Sequence, residues 1–384
     1  MTTSASTESN KHGGFVPPPY PYDRIDRFKP LADRFDGGLV DFSIGTPFDP
    51  PPADAVERLS RSGAERGYPP SIGSAELRSA VHDWIGRRFD VDVATDQIAA
   101  CIGSKEFVGT LPQWLKLRRP DLDTVLFPSL SYPTYEMGAT LAGCRAVAVP
   151  MSPTGGLQLD AIDPADAARA LALWVNSPAN PSGRLEDLGA AAAWGRANDV
   201  PVFSDECYIE FTWADRGRSI LEHGDQGVVA VHSLSKRSNL AGTRVGFYLG
   251  DRGLVEYLRE VRKHVGMMVP GPAQAAGAAA LADDQHVDHQ RELYSGRLQR
   301  MADVLKSWSG LDVRVPQGGF YLWFHVGDAW AFAERLATEG GALVSPGDLY
   351  GAAGAEYVRV AVVQPVERIE LVAERLGVSA RGGE

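Results

Sequence analysis

Lys236 follows an apolar run in Ser233-Leu234-Ser235-Lys236, and Arg244 opens another run beyond the small-residue stretch Leu240-Ala241-Gly242-Thr243. A lone lysine is ordinarily solvated. An amine partly desolvated among cations, however, loses proton affinity and becomes a nucleophile toward an aldehyde. Arg244 can grip a phosphate with two parallel N–H donors, and Ser233 can add a hydroxyl. Asp205 closes Val202-Phe203-Ser204, where burying a carboxylate is costly without a cationic partner. Either it caps a helix or pairs internally, or it meets a protonated ring nitrogen on a bound group. A ring held cationic in this way accepts the electrons released when a substrate Cα–H bond breaks. Tyr208, three residues on, is then placed to reach a hydroxyl of the same ring.

Other residues have the same double reading. Asn180 lies in Asn176-Ser177-Pro178-Ala179-Asn180-Pro181-Ser182-Gly183, which is either a tight loop or a loop that presents an amide donor to that ring hydroxyl. Gly103-Ser104-Lys105-Glu106 ends a strand and starts an apolar-patterned helix over Phe107–Leu117, and free N–H groups at such a junction bind phosphate. Tyr132, in Ser131-Tyr132-Pro133-Thr134-Tyr135, is either a core tyrosine or a ring that stacks on a bound aromatic group; Tyr135 reads as structural. Arg359 sits inside Tyr357-Val358-Arg359-Val360-Ala361. An arginine is seldom buried without a partner, and a substrate carboxylate held by its fork explains it.

These residues are far apart in sequence, and the elements between them must bring them together. Seven apolar runs, Gln97–Gly103, Thr124–Pro128, Arg145–Pro150, Leu171–Asn176, Val200–Glu206, Val228–Ser233 and Arg244–Gly250, alternate with helical segments. Runs buried on both faces are what a mainly parallel sheet between helices requires. The candidate residues cluster just after these runs, and ligands bind at the carboxyl ends of parallel strands. A helix is expected from Ser74, its N-cap, to Phe89.

The sequence divides into a polar, disordered tail at residues 1–14, a proline- and aromatic-rich arm at 15–49, a large α/β domain at 50–270 and a smaller α/β domain at 271–384, which the arm joins. In the last part, strands are expected at Leu311–Val315, Tyr321–His325 and Val358–Val363, with helices at Ala329–Glu339 and Val366–Leu376.

Composition narrows the function classes. The 384 residues are 44% hydrophobic and 23% charged, enough for a sizeable core rather than disorder. The formal net charge is -11 and no long Lys/Arg run interrupts it, which argues against nucleic acid and anionic membrane as partners. Cys101, Cys144 and Cys207 have no metal-ligand spacing and read as small buried hydrophobes of a reducing compartment. No signal peptide or membrane span is visible, so a cytoplasmic protein is expected.

With these residues in place the chain resembles the class I/II aminotransferases of fold type I, over essentially all of its length after the tail. The likeness is carried by Asn180-Pro181-Ser182-Gly183, Asp205-Glu206-Cys207-Tyr208, Ser233-Leu234-Ser235-Lys236, Arg244 and Arg359, in the family's order. It implies pyridoxal 5'-phosphate (PLP) carried on Lys236, with Asp205 and Tyr208 completing the catalytic set. Cofactor contacts are implied for Ser104, Lys105, Tyr132, Asn180, Ser233 and Arg244, and substrate contacts for Gly45, Asn180 and Arg359. A homodimer is also implied, in which Tyr68, following Gly67, crosses to the partner's phosphate site.

A closer likeness, to the actinobacterial type of N-succinyldiaminopimelate aminotransferase, rests on Gly103-Ser104-Lys105-Glu106, on Ser235 to Gly242, and on Arg262-Lys263-His264-Val265-Gly266-Met267-Met268-Val269-Pro270. It implies glutamate/2-oxoglutarate and an N-succinylated diaminopimelate as substrates, in lysine and meso-diaminopimelate biosynthesis. Lys263 and His264 are then candidates for the distal carboxylates, or simply a solvated helix end. Ser182, where threonine is usual, and Thr243 and Val265 depart from the pattern. An aspartate- or aromatic-type aminotransferase and a PLP-dependent carbon–sulfur lyase share the scaffold. A PLP-sensing transcription regulator would need an added DNA-binding module; the short N-terminal arm and the acidic balance argue against it.

Overall fold

All seven apolar runs form strands of one sheet. In the computed structural model of the chain, residues 14–152 and 155–378 are described; the tail expected at 1–14 lies outside them except for Gly14. Strand β1 (Val40–Asp41) belongs to the arm. The large sheet contains β2 (Ile98–Cys101), β3 (Thr124–Pro128), β4 (Arg145–Val149), β5 (Ala170–Asn176), β6 (Val202–Asp205), β7 (Val228–Ser233) and β8 (Gly246–Gly250). Their order is β2-β8-β7-β6-β5-β3-β4. Strand β8 runs antiparallel to both its neighbours, and the remaining pairs are parallel. The expected α/β fold with a mainly parallel seven-stranded sheet is the one observed.

Alternation within the strands fills both faces. Leu126, Leu173, Val202 and Ala230 enter one apolar layer, while Val125, Trp174, Phe203 and Val229 enter the other. Side chains of period two on a sheet covered by helices on both sides produce this double burial. The edge strand β4 departs from the expectation, with Arg145 and Ala148 exposed, whereas the opposite edge strand, β2, is buried throughout. The helix Ala75–Phe89 starts where expected, with Ser74 Oγ accepting from Leu77 N at 3.1 Å.

A separate apolar cluster unites the arm with the C-terminal third. Ile25, Phe28, Val40 and Phe42 of the arm pack with Leu298, Met301, Phe324, Leu336, Val360 and Ile369. Here β9 (Tyr321–His325), β11 (Ser345–Pro346) and β12 (Tyr357–Ala361) form an antiparallel sheet in the order β11-β12-β9, and β10 (Ala342–Leu343) pairs in parallel with β1. The helices Ala329–Gly340 and Val366–Arg375 lie where the periodicity placed them. The strand expected at Leu311–Val315 does not form. Val313 alone is buried there, so the alternating pattern reflects one docked side chain rather than a paired ladder. Among the described residues no helix is long and apolar enough to cross a membrane.

Candidate active site

The topology gathers the chemistry-bearing residues at one end of the large sheet. Asp205 ends β6 and Ser233 ends β7, while Ser104, Tyr132 and Asn180 follow β2, β3 and β5. Arg244 reaches the same end for the opposite reason. Strand β8 is reversed, Gly246 pairs with both Cys101 and Ser233, and the residues entering β8 therefore meet the carboxyl ends of its neighbours. Arg244 precedes the strand rather than opening it, with a φ of 56°.

A cavity of roughly 290 Å³ opens there. Gly45, Ser104, Lys105, Tyr132, Asn180, Asp205, Tyr208, Ser233, Lys236, Arg244 and Arg359 all line it. Tyr68 does not; it is 97% exposed. Lys263 and His264 close the helix Arg252–Val265 away from the cavity wall.

Lys236 Nζ donates to the carbonyl of Gly45. Burial pulls its amine down to about 8, and the nearby Arg359 and Arg244 add to the effect while Cys207 and Asp205 oppose it. Asp205 is held from two sides: Oδ2 accepts from the Tyr135 hydroxyl at 2.9 Å and Oδ1 from Cys207 N at 3.2 Å. Burial raises its carboxyl, and these hydrogen bonds work against the rise. Asn176 Nδ2 donates to the Asp205 carbonyl at 2.7 Å, and its Oδ1 accepts from Asn180 N at 2.7 Å. One side chain thus joins the ends of β5 and β6 to the Asn180 turn. Tyr208 shares a 2.8 Å hydroxyl contact with Tyr321, and burial, reinforced by that neighbour, keeps its phenol protonated.

Arg359, in β12, is buried under aromatic rings, with its guanidinium carbon 4.2 Å from the Tyr321 centroid and 4.7 Å from that of Tyr350. It donates to Asn180 Oδ1 at 2.8 Å and to the Ser43 carbonyl at 2.6 Å, while its Nε has no partner among the described residues. Aromatic faces stabilise the cation without neutralising it.

The donor set fits PLP. Four cations, Lys105, Lys236, Arg244 and Arg359, line the cavity against one carboxylate, Asp205. Among the described residues none of the four has a carboxylate at salt-bridge distance; their partners are the Tyr20 hydroxyl, the carbonyls of Gly45, Ala241 and Ser43, and Asn180 Oδ1. Among the same residues Asp205 has no cation directly on its oxygens. Asp205 and Arg359 are buried and Lys236 and Arg244 half-buried, while Lys105 is exposed; charges withdrawn from water need partners, and a phosphate, a carboxylate and a protonated ring nitrogen supply them. Gly103 makes room for Arg244 at this site. At φ 72° it takes a conformation that side chains disfavour, and a Cβ there would overlap the Arg244 guanidinium.

Sequence reasoning missed several wall residues. Tyr20 and Tyr22 from the arm, Tyr321 from β9, and Asn176, Cys207 and Ser235 all border the cavity. Cys207, expected to be a buried hydrophobe, points its thiol at Ser104 Oγ, 3.2 Å away. Tyr135, read as structural, reaches the site through Asp205. The signal for Tyr20 and Tyr22 was present in Pro19-Tyr20-Pro21-Tyr22, an aromatic pair on stiffened backbone, but nothing in the sequence tied it to the sheet.

A largely parallel sheet that presents a depressed lysine, a buried carboxylate and phosphate-fitting cations at one end defines a PLP-dependent enzyme of fold type I. The chain belongs to the aminotransferase class I and II family, whose pattern it matches over residues 38–376. It is 40% identical over 368 residues to the probable aminotransferase Rv1178 of Mycobacterium tuberculosis, covering 94% of this chain and 85% of that protein. It is 38% identical to the 4-dedimethylamino-4-oxo-anhydrotetracycline transaminase OxyQ of Streptomyces rimosus, covering 94% and 99%. Among solved structures, the probable N-succinyldiaminopimelate aminotransferase of Thermus thermophilus matches with a TM-score of 0.83 at 28% identity, covering 93% of this chain and 99% of that one. PLP is the cofactor of this family, and an amino acid and a 2-oxo acid are its substrates.

Proposed function

We propose that the chain transfers an amino group between glutamate/2-oxoglutarate and the N-succinyl-2-amino-6-oxopimelate/N-succinyl-L,L-diaminopimelate pair. The observation that carries the amino-acid half of this reading is Arg359, a buried fork facing the cavity with no carboxylate of its own among the described residues. Every substrate in the pair carries a carboxylate next to the reacting carbon. The succinylated substrate is supported by the resemblance of the Gly103–Glu106, Ser235–Gly242 and Arg262–Pro270 strings and by the likeness to the Thermus protein.

In this reading Ser104, Lys105, Ser233 and Arg244 hold the phosphate, Asp205 pairs with the ring nitrogen, Asn180 and Tyr208 donate to the ring hydroxyl, and Tyr132 stacks on the ring. When bound, PLP supplies an aldehyde carbon for amino groups and an electron-accepting ring. Lys236 first anchors the cofactor. Its free Nζ would take the proton from the substrate Cα and hand it to the cofactor; an amine near 8 is partly unprotonated at neutral pH and suited to that transfer. Arg359 fixes the carboxylate so that the Cα–H bond faces Lys236, and Gly45 lets the Tyr321 ring close in beside it, since a Cβ there would overlap the Tyr321 hydroxyl. The aromatic rings of Tyr22 and Tyr321 keep water from the reacting carbon. Tyr68 completes the partner's phosphate site in a homodimer.

The test is a single turnover of the PLP form with N-succinyl-L,L-diaminopimelate alone, followed by cofactor absorbance. Full conversion to the pyridoxamine form is expected, with unsuccinylated L,L-diaminopimelate reacting far more slowly. Conversion by glutamate but not by the succinylated compound would remove the substrate assignment and leave the aminotransferase.

A further inference from the structure

Two of the sequence strings singled out above meet in space at a point the proposed chemistry leaves unused. Arg262, only 1% exposed, forms a bidentate ion pair with Glu106, Nη1 to Oε1 at 2.9 Å and Nη2 to Oε2 at 2.6 Å. Glu106 stands in the first turn of the helix Ser104–Arg118, two residues beyond Ser104. It also accepts from Ile102 N at 3.2 Å and from Thr110 Oγ1 at 2.9 Å. It therefore stitches the end of β2, the start of the helix and the helix Arg252–Val265 together. Burial works to raise its carboxyl, but Arg262 overrides this, so the net shift is downward and Glu106 stays ionised.

An anion in the first turn favours a helix standing alone. It is unfavourable where the same helix start must receive a phosphate, because the two negative charges then compete for one set of N–H groups and one local field. We propose that Arg262 is a positioning residue for the cofactor: by pairing with Glu106 it cancels a negative charge that would otherwise stand two residues from Ser104 at the phosphate-binding end. Phe107 and Tyr248, whose ring centroids lie 5.7 and 6.0 Å from its guanidinium carbon, hold the arginine in place from the core side.

The inference rests on the reading that the PLP phosphate docks at the start of this helix beside Arg244. The experiment titrates cofactor-free protein with PLP and with pyridoxal, which lacks the phosphate, and reads the absorbance of the bound chromophore. Arg244→Ala examines the underlying reading: if it weakens both ligands equally, the phosphate placement fails and the proposal with it. With that arm intact, Arg262→Met should weaken PLP about ten-fold, the order expected for an uncompensated nearby charge, and leave pyridoxal within about two-fold. Glu106→Gln/Arg262→Met should recover most of the PLP affinity. Equal losses for the two ligands, or no recovery in the double variant, would reduce Arg262 to a packing residue and overturn the proposal. Should Arg262→Met not fold, Glu106→Gln alone decides. It should bind PLP as tightly as the parent or more so, and a ten-fold weakening specific to PLP would count against the idea.

Discussion

The floor and the roof of the cavity are built on different principles. The floor, comprising Ser104, Asn180, Asp205, Ser233, Lys236 and Arg244, hangs from the ends of adjacent strands, and its geometry follows from sheet topology. The roof consists of Tyr20, Tyr22, Gly45, Tyr321 and Arg359, contributed by the arm, β9 and β12. It is assembled by aromatic packing around a single guanidinium. A backbone-built floor suits a cofactor that stays, and a side-chain-built roof suits substrates that come and go.

The largest effect that could break this division is at Lys236. Lys236→Ala should lower turnover by about 10³-fold or more, beyond the usual worth of a single positioned acid or base because the anchor is lost too; steady-state kinetics with saturating PLP reads it. The same amine should leave a mark on stability. Its folded value of about 8 lies below the unfolded 10.5, so between them the unfolded chain holds more proton and the stability of the cofactor-free protein rises with pH. Below about 8 the buried charge costs its full amount, about 3 kcal/mol. In denaturant unfolding, cofactor-free Lys236→Met should exceed the parent by that margin at pH 7, keep about 1 kcal/mol of it at pH 10 and lose the rest above the unfolded value of 10.5; a gap that does not change with pH would mean burial does not act on the amine.

At the roof, Arg359→Ala should reduce kcat/KM for the amino donor by about 10²-fold while PLP affinity, measured by titration, stays unchanged. Equal loss in both would merge roof and floor into one unit. The smallest effect is expected for Tyr321→Phe, which removes the hydroxyl partner of Tyr208. It should cost about 1 kcal/mol, a few-fold in kcat/KM, without altering the cofactor spectrum.

The same contrast explains how much the sequence disclosed. Floor residues follow apolar runs of strand length, and a parallel sheet brings such positions together whatever the loops between them. Seven strands and the convergence of Asp205, Lys236 and Arg244 could therefore be read in advance. The antiparallel turn of β8 could not, although it is what brings Arg244 in. The roof has no such rule. Arg359 stood out as a charge inside an apolar strand, but Tyr22 and Tyr321 are ordinary aromatic residues until three-dimensional packing places them. Tyr135 and Asn176 act through Asp205, and a hydrogen bond between residues dozens of positions apart leaves no periodic signal.

The charge arrangement bears on how substrates arrive. The chain as a whole is formally -11, yet in the cavity four cations face one carboxylate. A dicarboxylate approaching from solution meets repulsion first and attraction only near the mouth. Salt does not act on the two fields equally: a screening length of about 10 Å at 0.1 M mutes the distant field and leaves contacts within the cavity largely intact. Moderate ionic strength should therefore hasten capture rather than slow it, making the net negative charge a filter that the salt of the surrounding solution opens.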